Sequence, residues 1–420
     1  MDNTYLIRCG KLFDGVQSTL HEDFEILVNG KLIQDVGRGL SKPRGAETID
    51  LSHLTVTPGL MDAHLHAAEG FTPEDTIEGY RNADSWYLLS AVHNLRKTLE
   101  RGFTTVRMPS GLINSFGAWE LKRAIEEGYF DSCSRFIVAG HCIGTTGNHA
   151  DYSQLLASNP VASEAYASPF TGDGPAFMAN AVRREIKHGC DFLKIMLSGG
   201  FYSPVDGPED EQLTDEELKA IIDTAHGSFK SVTAHVYSPI LMQKLVRFGL
   251  DCIEHGALMD EATARIIERS GVFVVPTFVP YDDVIDLDEE KLSEKPVYMQ
   301  NKLRKYSEQL KESRKVIISS SIRLGYGTDI VSVYKCYDSY LEFVSWMKAG
   351  VDPFRILKAA TSVNADICGI SQLTGRIQPG KYADIAAWGK DLLTDPYALT
   401  DCAFVMKEGK VYPARPVEDA

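Results

Sequence analysis

Short apolar runs alternate with stretches of helical period through the middle of this chain. Runs of strand length end near Asp62, Met108, Ala139, Leu197, His235, His255, Thr277 and Gly327. Between them apolar residues recur with a period near 3.6, most clearly over residues 84–100, which predicts amphipathic helices. Thr214 and Glu217 stand three apart at the head of one such stretch, the spacing of a capping box. Residues 238–248 and 260–270 predict two more helices, and an insertion over 281–320 predicts a long helix from Val297. Strand-to-helix alternation favours parallel pairing with right-handed crossovers. Eight such units predict an α/β fold of the (β/α)8 TIM-barrel type. An open doubly wound sheet competes, but it lacks a Gly-rich phosphate loop here. Nor would it bring the ends of the first, fourth, fifth, sixth and eighth strands together.

The two ends of the chain share a different pattern. Residues 5–8, 24–28 and 31–36 are strand-like, with Asn29-Gly30 as a hairpin signal. Residues 383–388 and 403–411 repeat it, with a turn at Glu408-Gly409. Neither end has enough apolar residues for a core of its own. The expected organisation is therefore a small β-sandwich domain built from 1–57 and 368–420, with the barrel inserted as 58–367. Two long connections, 141–173 and 198–213, follow strands. Both fall on the face where barrel enzymes work, and loops of this length are more often functional than idle.

Composition narrows the classes of function. A formal charge of −15 argues against nucleic acid and against an anionic membrane surface as partners. No run approaches the roughly 18 apolar residues of a membrane span, and the first residues lack the pattern of a signal peptide. The eight cysteines, with no CxxC pair, suit a reducing compartment, so a cytoplasmic location is expected. Cys142, next to His141, reads as a packed small side chain.

The chemistry is carried by residues at the ends of the apolar runs: His64, His66, Lys194, His235, His255 and Asp329. Two histidines one residue apart on a strand point to the same side, so both can reach one ion. Imidazole and carboxylate are good zinc donors. His64 and His66 are expected to hold one zinc with Asp329 nearby, and His235 and His255 a second. Two cations at such a site need a bridging anion, which a deprotonated water supplies. Lys194 lies in an apolar strand, where an uncompensated ammonium is costly. Carboxylation of its amine would turn that cation into a bidentate bridging anion. Asp329 is the expected proton acceptor and donor. The remaining histidines, His21, His53, His93, His188 and His226, are read as structural.

The run Pro58-Gly-Leu-Met-Asp-Ala-His-Leu-His66 resembles the signature of the amidohydrolase superfamily. Lys194-Ile-Met-Leu-Ser-Gly-Gly-Phe-Tyr-Ser-Pro204, Ala234-His-Val-Tyr237 and Glu254-His-Gly256 narrow the resemblance. They look like the Xaa-Pro dipeptidase and metal-dependent carboxypeptidase branch, close to imidazolonepropionase-like and mycotoxin-hydrolysing amidases. Residues 359–365 and 375–384 are similar to the C-terminal landmarks of this group. The resemblance spans about residues 5–411, and its motifs specify the branch far better than the substrate. It implies two Zn2+ per chain bridged by N6-carboxylated Lys194, ligation by His64, His66, His235, His255 and Asp329, and a homo-oligomer. It also implies a substrate with a free carboxylate, gripped by Tyr237 and His149. Residues 235 and 237 share a strand face, which agrees for Tyr237. The branch usually carries Gly-Gly-His-Gly-Asp, whereas this chain has Gly147-Asn-His-Ala-Asp151. That departure keeps His141, nearer the strand end, as an alternative substrate contact.

The expected activity is hydrolysis of an amide bond next to a free carboxylate, in Xaa-Pro or other dipeptides or in N-acyl amino acids. A cyclic amide, urea or carbamate hydrolase of the same superfamily is the alternative. A non-catalytic scaffold barrel is a remote one, since it would be expected to have lost metal ligands.

Overall fold

The computed structural model describes residues 3–67, 83–110, 117–156, 158–285, 287–330 and 335–417. The N-terminal strands are β1 (Thr4–Leu12), β2 (His21–Glu22), β3 (Glu25–Asn29), β4 (Leu32–Gly37) and β5 (Glu47–Pro58). The hairpin between β3 and β4 forms one residue later than the sequence suggested. Asn29 pairs with Leu32, and Gly30 takes φ 56° at the first turn position, a conformation that glycine adopts without a Cβ clash.

The middle of the chain supplies β6 (Leu60–Asp62), β7 (Phe103–Met108), β8 (Arg135–Val138), β9 (Cys142–Ile143), β10 (Leu193–Met196), β11 (Val232–Val236), β12 (Cys252–His255) and β13 (Phe273–Val275). These form two parallel sheets, β6-β7-β8 and β9-β10-β11-β12-β13, with helices between successive strands of each sheet. The strands are buried on both faces, as expected for parallel sheets covered by helices. The helix Asp215–His226 opens with the predicted capping box, Thr214 and Glu217 bonding reciprocally. The helices Asp84–Glu100, Pro239–Phe248 and Glu261–Ser270 also match their predicted spans. The insertion after β13 forms the helices Val279–Ile285, Glu289–Ser293 and Val297–Ser319. Residues 141–173, read as a loop, contain a short 3-10 turn (Tyr152–Leu156) and the helix Pro160–Tyr166.

The expected eighth strand is the main departure. Residues 323–329 carry one parallel bridge, Val274 with Leu324, and no regular strand among the described residues. The backbone groups of Tyr326 explain this. Its N–H donates to Asn364 Oδ1 at 3.1 Å instead of to a neighbouring strand, while its carbonyl accepts from Asn364 Nδ2 at 2.8 Å as well as from the backbone of Ala63. A side chain thus takes over part of the strand ladder. The segment still joins the two sheets: Gly325 N donates to Val274 O at 2.8 Å, and Ala63 N to Tyr326 O at 2.8 Å. At the opposite edges, Asp191 N donates to Val138 O at 2.8 Å. A Cβ at Gly327 would lie 2.5 Å from Val275 and 2.7 Å from His64 Cβ, so only glycine permits this approach.

The C-terminal strands are β14 (Ile385–Trp388), β15 (Cys402–Lys407) and β16 (Lys410–Tyr412). Glu408 and Gly409 turn between the last two, both at positive φ, the pattern of a type I′ hairpin. β14 pairs antiparallel with the end of β5, so both termini enter one eight-stranded sheet, with order β16-β15-β14-β5-β1-β3-β4 and β2 on β1. Ile7, Val28 and Val56 share one buried cluster with Ile385, Ala387 and Phe404. The expectation of a sandwich is met only in this shared sheet and core; the described strands do not divide into two sheets.

Candidate metal centre

His64 follows β6 by two residues, His235 lies in β11, and His255 ends β12. Asp329 ends the segment that replaces the eighth strand, its N–H bonded to His64 O at 2.7 Å. His255, Thr277 and Asp329 all hold positive φ, at 68°, 48° and 44°. Such backbone is costly for residues with a Cβ and tends to gather at functional sites.

The imidazoles converge on one carboxylate. Asp329 Oδ1 lies 3.3 Å from His64 Nε2 and 3.2 Å from His66 Nε2, and Oδ2 lies 3.7 Å from His255 Nδ1. His64, His255 and Asp329 each present a donor atom within 4.8 Å of the others. The rings are also held by further side chains, His64 and His66 through the nitrogen turned away from Asp329, and His255 through the same Nδ1 that faces it. His64 Nδ1 meets Glu254 Oε2 at 2.7 Å, His66 Nδ1 meets Ser110 Oγ at 3.0 Å, and His255 Nδ1 meets Thr277 Oγ1 at 2.7 Å. Outer bonds of this kind fix the tautomer and aim of metal-binding histidines. Glu254 in turn accepts from Arg107 Nη1 at 2.8 Å and from Thr233. Asp62 accepts from the backbone of His64 and Thr328 and from the hydroxyls of Thr328 and Ser339, locking the His64 and Asp329 segments together.

Burial and charge set the protonation states. Burial drives the pKa of His235 well below the ordinary histidine value, reinforced by His149, His255 and Lys194. Burial does the same at His255, against the pull of Asp329. Burial tends to raise the Asp329 pKa, yet His64, His66 and His255 hold it well below the carboxylate range. A lowered pKa favours neutral His235 and His255, the form in which imidazole binds metal.

The donor set fits a divalent ion on two further observations. His235 Nε2 is buried without a hydrogen-bond partner among the described residues. Lys194 is 2% exposed in β10, beside β11, with no hydrogen bond or ion pair among them and only the longer-range attraction of Glu254. Both groups are expensive to bury unpartnered.

The substrate candidates fall in two places. Tyr237 stacks on His255 (5.6 Å between centroids, 16°) and meets His235 edge-on (4.8 Å, 89°). Its hydroxyl is 2.8 Å from that of Tyr281. His149 stacks on His235 at 4.6 Å and 20°, its Nδ1 3.2 Å from Asp206 Oδ1. The loop 198–213 therefore holds His149 despite the departures at Asn148 and Ala150. A Cβ at Gly200 would lie 2.4 Å from the His149 ring. The described contacts of His141 lie elsewhere: its Nδ1 is 3.0 Å from Glu185 Oε1, and its ring stacks on Phe170 at 4.5 Å. Sequence reading missed Glu254, Arg107, Asp62, Thr277 and Tyr281. Glu254, Asp62 and Arg107 carried a signal, as charged residues inside apolar strands, two of them beside His255 and His64; Thr277 and Tyr281 carried none.

The amidohydrolase family model matches residues 55–412. An ochratoxinase of Aspergillus niger is 26% identical over 432 residues, spanning 97% of this chain and 86% of its own. The crystal structure of a Xaa-Pro dipeptidase with bound methionine in the active site matches with a TM-score of 0.85 at 28% identity, covering 98% of this chain and 100% of that one. A prolidase complexed with N-methylphosphonate-L-proline gives the same four values, 0.85, 28%, 98% and 100%. Together with the family match, parallel sheets with a largely buried histidine–aspartate cluster at their ends make this a metal-dependent amide-bond hydrolase acting on small molecules. The chain belongs to the amidohydrolase family. Among the described residues no helix is long and apolar enough to cross a membrane.

Proposed function

We propose that this chain is a binuclear zinc hydrolase that cleaves an amide bond beside a free carboxylate, in Xaa-Pro or other dipeptides or in N-acyl amino acids. The observation that carries this is the convergence of His64, His66 and His255 on Asp329, with Lys194 and His235 buried unpartnered beside them. His64 and His66, with Asp329, would hold one ion, and His235 and His255 the other. Lys194, carboxylated on its amine, would bridge them and replace a stranded cation with an anion. When bound, two such ions supply Lewis acidity and a water acidified to near-neutral pH.

The chain's own groups do the rest. Glu254, Ser110 and Thr277 hold the imidazoles in place. The Asp329 carboxylate, kept ionised, takes a proton from the attacking water and returns it to the departing nitrogen. Tyr237 and His149 hold the substrate carboxylate at the other end. The dipeptidase and prolidase matches support this substrate class.

The bonds linking the two parallel sheets at both edges support a closed (β/α)8 barrel over 58–367. The core shared by the terminal strands supports a companion domain from 1–57 and 368–420. A cytoplasmic homo-oligomer is part of the same reading, from the cysteine pattern and the family resemblance.

The test is a screen of zinc-loaded protein against Xaa-Pro and other dipeptides, N-acyl amino acids, their C-terminal amides, cyclic amides and ureas, reading amine release. Turnover of the free acids and poor turnover of their amides is expected. Turnover confined to cyclic amides or ureas would overturn the reading.

A further inference from the structure

Tyr281 lies in the helix Val279–Ile285, outside the strand ends that supply the histidines. Its hydroxyl nevertheless donates to Tyr237 Oη at 2.8 Å. Both side chains are buried, Tyr237 at 3% exposure and Tyr281 at 4%. Two phenols bring two protons, and the single bond between them uses one. Neither hydroxyl makes another hydrogen bond among the described residues. With Tyr281 donating, Tyr237 keeps its own proton for a further acceptor. Accepting one bond also strengthens a hydroxyl as a donor of the next.

The direction matters because of where the rings sit. Tyr237 is the phenol in contact with both His255, at 5.6 Å, and His235, at 4.8 Å, whereas Tyr281 meets only the His255 ring of the two, edge-on at 6.5 Å. Were Tyr237 to donate backwards, it would meet a substrate with lone pairs only and repel a carboxylate. An anionic group therefore selects the arrangement in which Tyr281 donates and Tyr237 passes its own proton forward.

Tyr281 is held firmly enough for this task. The buried carboxylate of Glu342 accepts from Phe278 N at 2.9 Å and Val279 N at 3.0 Å, anchoring the start of the helix. Arg314 pairs with Asp282 and lies over Phe278. Phe201 packs edge-on against both tyrosines, at 5.2 Å from Tyr237 and 6.5 Å from Tyr281.

We propose that Tyr281 is a positioning residue that fixes Tyr237 as a hydrogen-bond donor, so that the site selects a substrate carboxylate over an amide at that point. This rests on the reading of Tyr237 as the group that binds the carboxylate. The insertion after β13 would thereby take part in substrate selection.

The experiment measures kcat and KM for a free-acid substrate and its C-terminal amide on zinc-loaded wild type, Tyr281→Phe, Tyr237→Phe and the double variant. The acid-to-amide ratio of kcat/KM within each protein is independent of the active fraction, so partial misfolding does not mimic the effect. For Y281F this ratio is expected to fall about 2- to 10-fold, the worth of one neutral hydrogen bond, with the loss on KM more than kcat. In the double variant Y281F should add nothing to Y237F, because the two act as one unit. An unchanged ratio in Y281F, or the same further loss in the Y237F background, would overturn the role of Tyr281 alone. A Y237F enzyme that keeps the wild-type ratio would overturn the reading of Tyr237, and the role of Tyr281 with it.

Discussion

His64 Nδ1 and Glu254 Oε2 lie 2.7 Å apart, between side chains 1% and 0% exposed. The pair joins the segment after β6 to β12, and Arg107 of β7 closes it from the other side through Glu254 Oε1 at 2.8 Å. Three strands thus share one buried carboxylate. Burial opposes its ionisation, but Arg107 and His64 hold its pKa well below the ordinary glutamate value.

Glu254→Gln tests that role. It strands the Arg107 guanidinium and weakens the hold on His64. Breaking a buried charge pair costs about 3–5 kcal/mol, and losing an outer partner of a metal-binding histidine costs about 10- to 100-fold in metal affinity. Denaturant unfolding of the metal-free protein and a zinc titration check the two effects. Wild-type values in both would mean that Glu254 merely fills space.

Lys194→Ala should cost metal before it costs fold. The variant removes a side chain buried in β10 that makes no hydrogen bond or ion pair among the described residues, so little native bonding is lost with it. Far-UV circular dichroism should stay near wild type while zinc falls well below two per chain. Elemental analysis showing two zinc ions together with full activity would exclude the carbamate.

Asp329→Asn separates binding from proton transfer. An amide oxygen still reaches a metal but accepts protons poorly. Substantial zinc should be retained while turnover falls by about 10²-fold or more, the scale of a lost general acid–base. Near-wild-type turnover would leave Asp329 as a ligand only.

Asp384 and Arg135 give a pH test away from the site. Asp384 precedes β14 in the terminal sheet and meets Arg135 of β8 at 2.7 Å, with Thr374 Oγ1 also 2.8 Å from Asp384 Oδ2. Burial acts to raise the Asp384 pKa, but Arg135 and these hydrogen bonds hold it below the usual value. A lowered folded pKa means stability that is present above the unfolded aspartate pKa, about 4, and lost as pH falls through the folded value. Asp384→Asn should therefore cost about 3–5 kcal/mol near pH 7. The gap from wild type should narrow progressively below about pH 4. A gap independent of pH down to 2 would assign the loss to packing instead of charge.

Much of this protein was legible in its residue order. Period-2 and period-3.6 patterns are local, so most of the parallel strands, the Thr214–Glu217 capping box and the long helix from Val297 could be read directly. His64-x-His66 puts two imidazoles on one side of an extended segment by backbone geometry alone. The identities of Lys194, His235, His255 and Asp329, each at the end of an apolar run, completed a chemically coherent set that the folded chain brings to one place.

The tertiary structure decided what depends on partners distant in sequence. Glu254 holds His64 across 190 positions, and Tyr281 reaches Tyr237 across 44. No periodicity encodes such pairs, because they arise only when separate strand ends and loops are packed side by side. The same holds for the eighth strand. Its apolar run looked regular, but Asn364 captures the N–H of Tyr326 and interrupts the ladder there. It holds for His141 as well. Its position at a strand end suggested a substrate contact, and its described partners, Glu185 and Phe170, come from the following helix and loop. Local pattern specified the elements and the reactive residue types; the low-dielectric contacts between elements decided how each reactive group is aimed and charged.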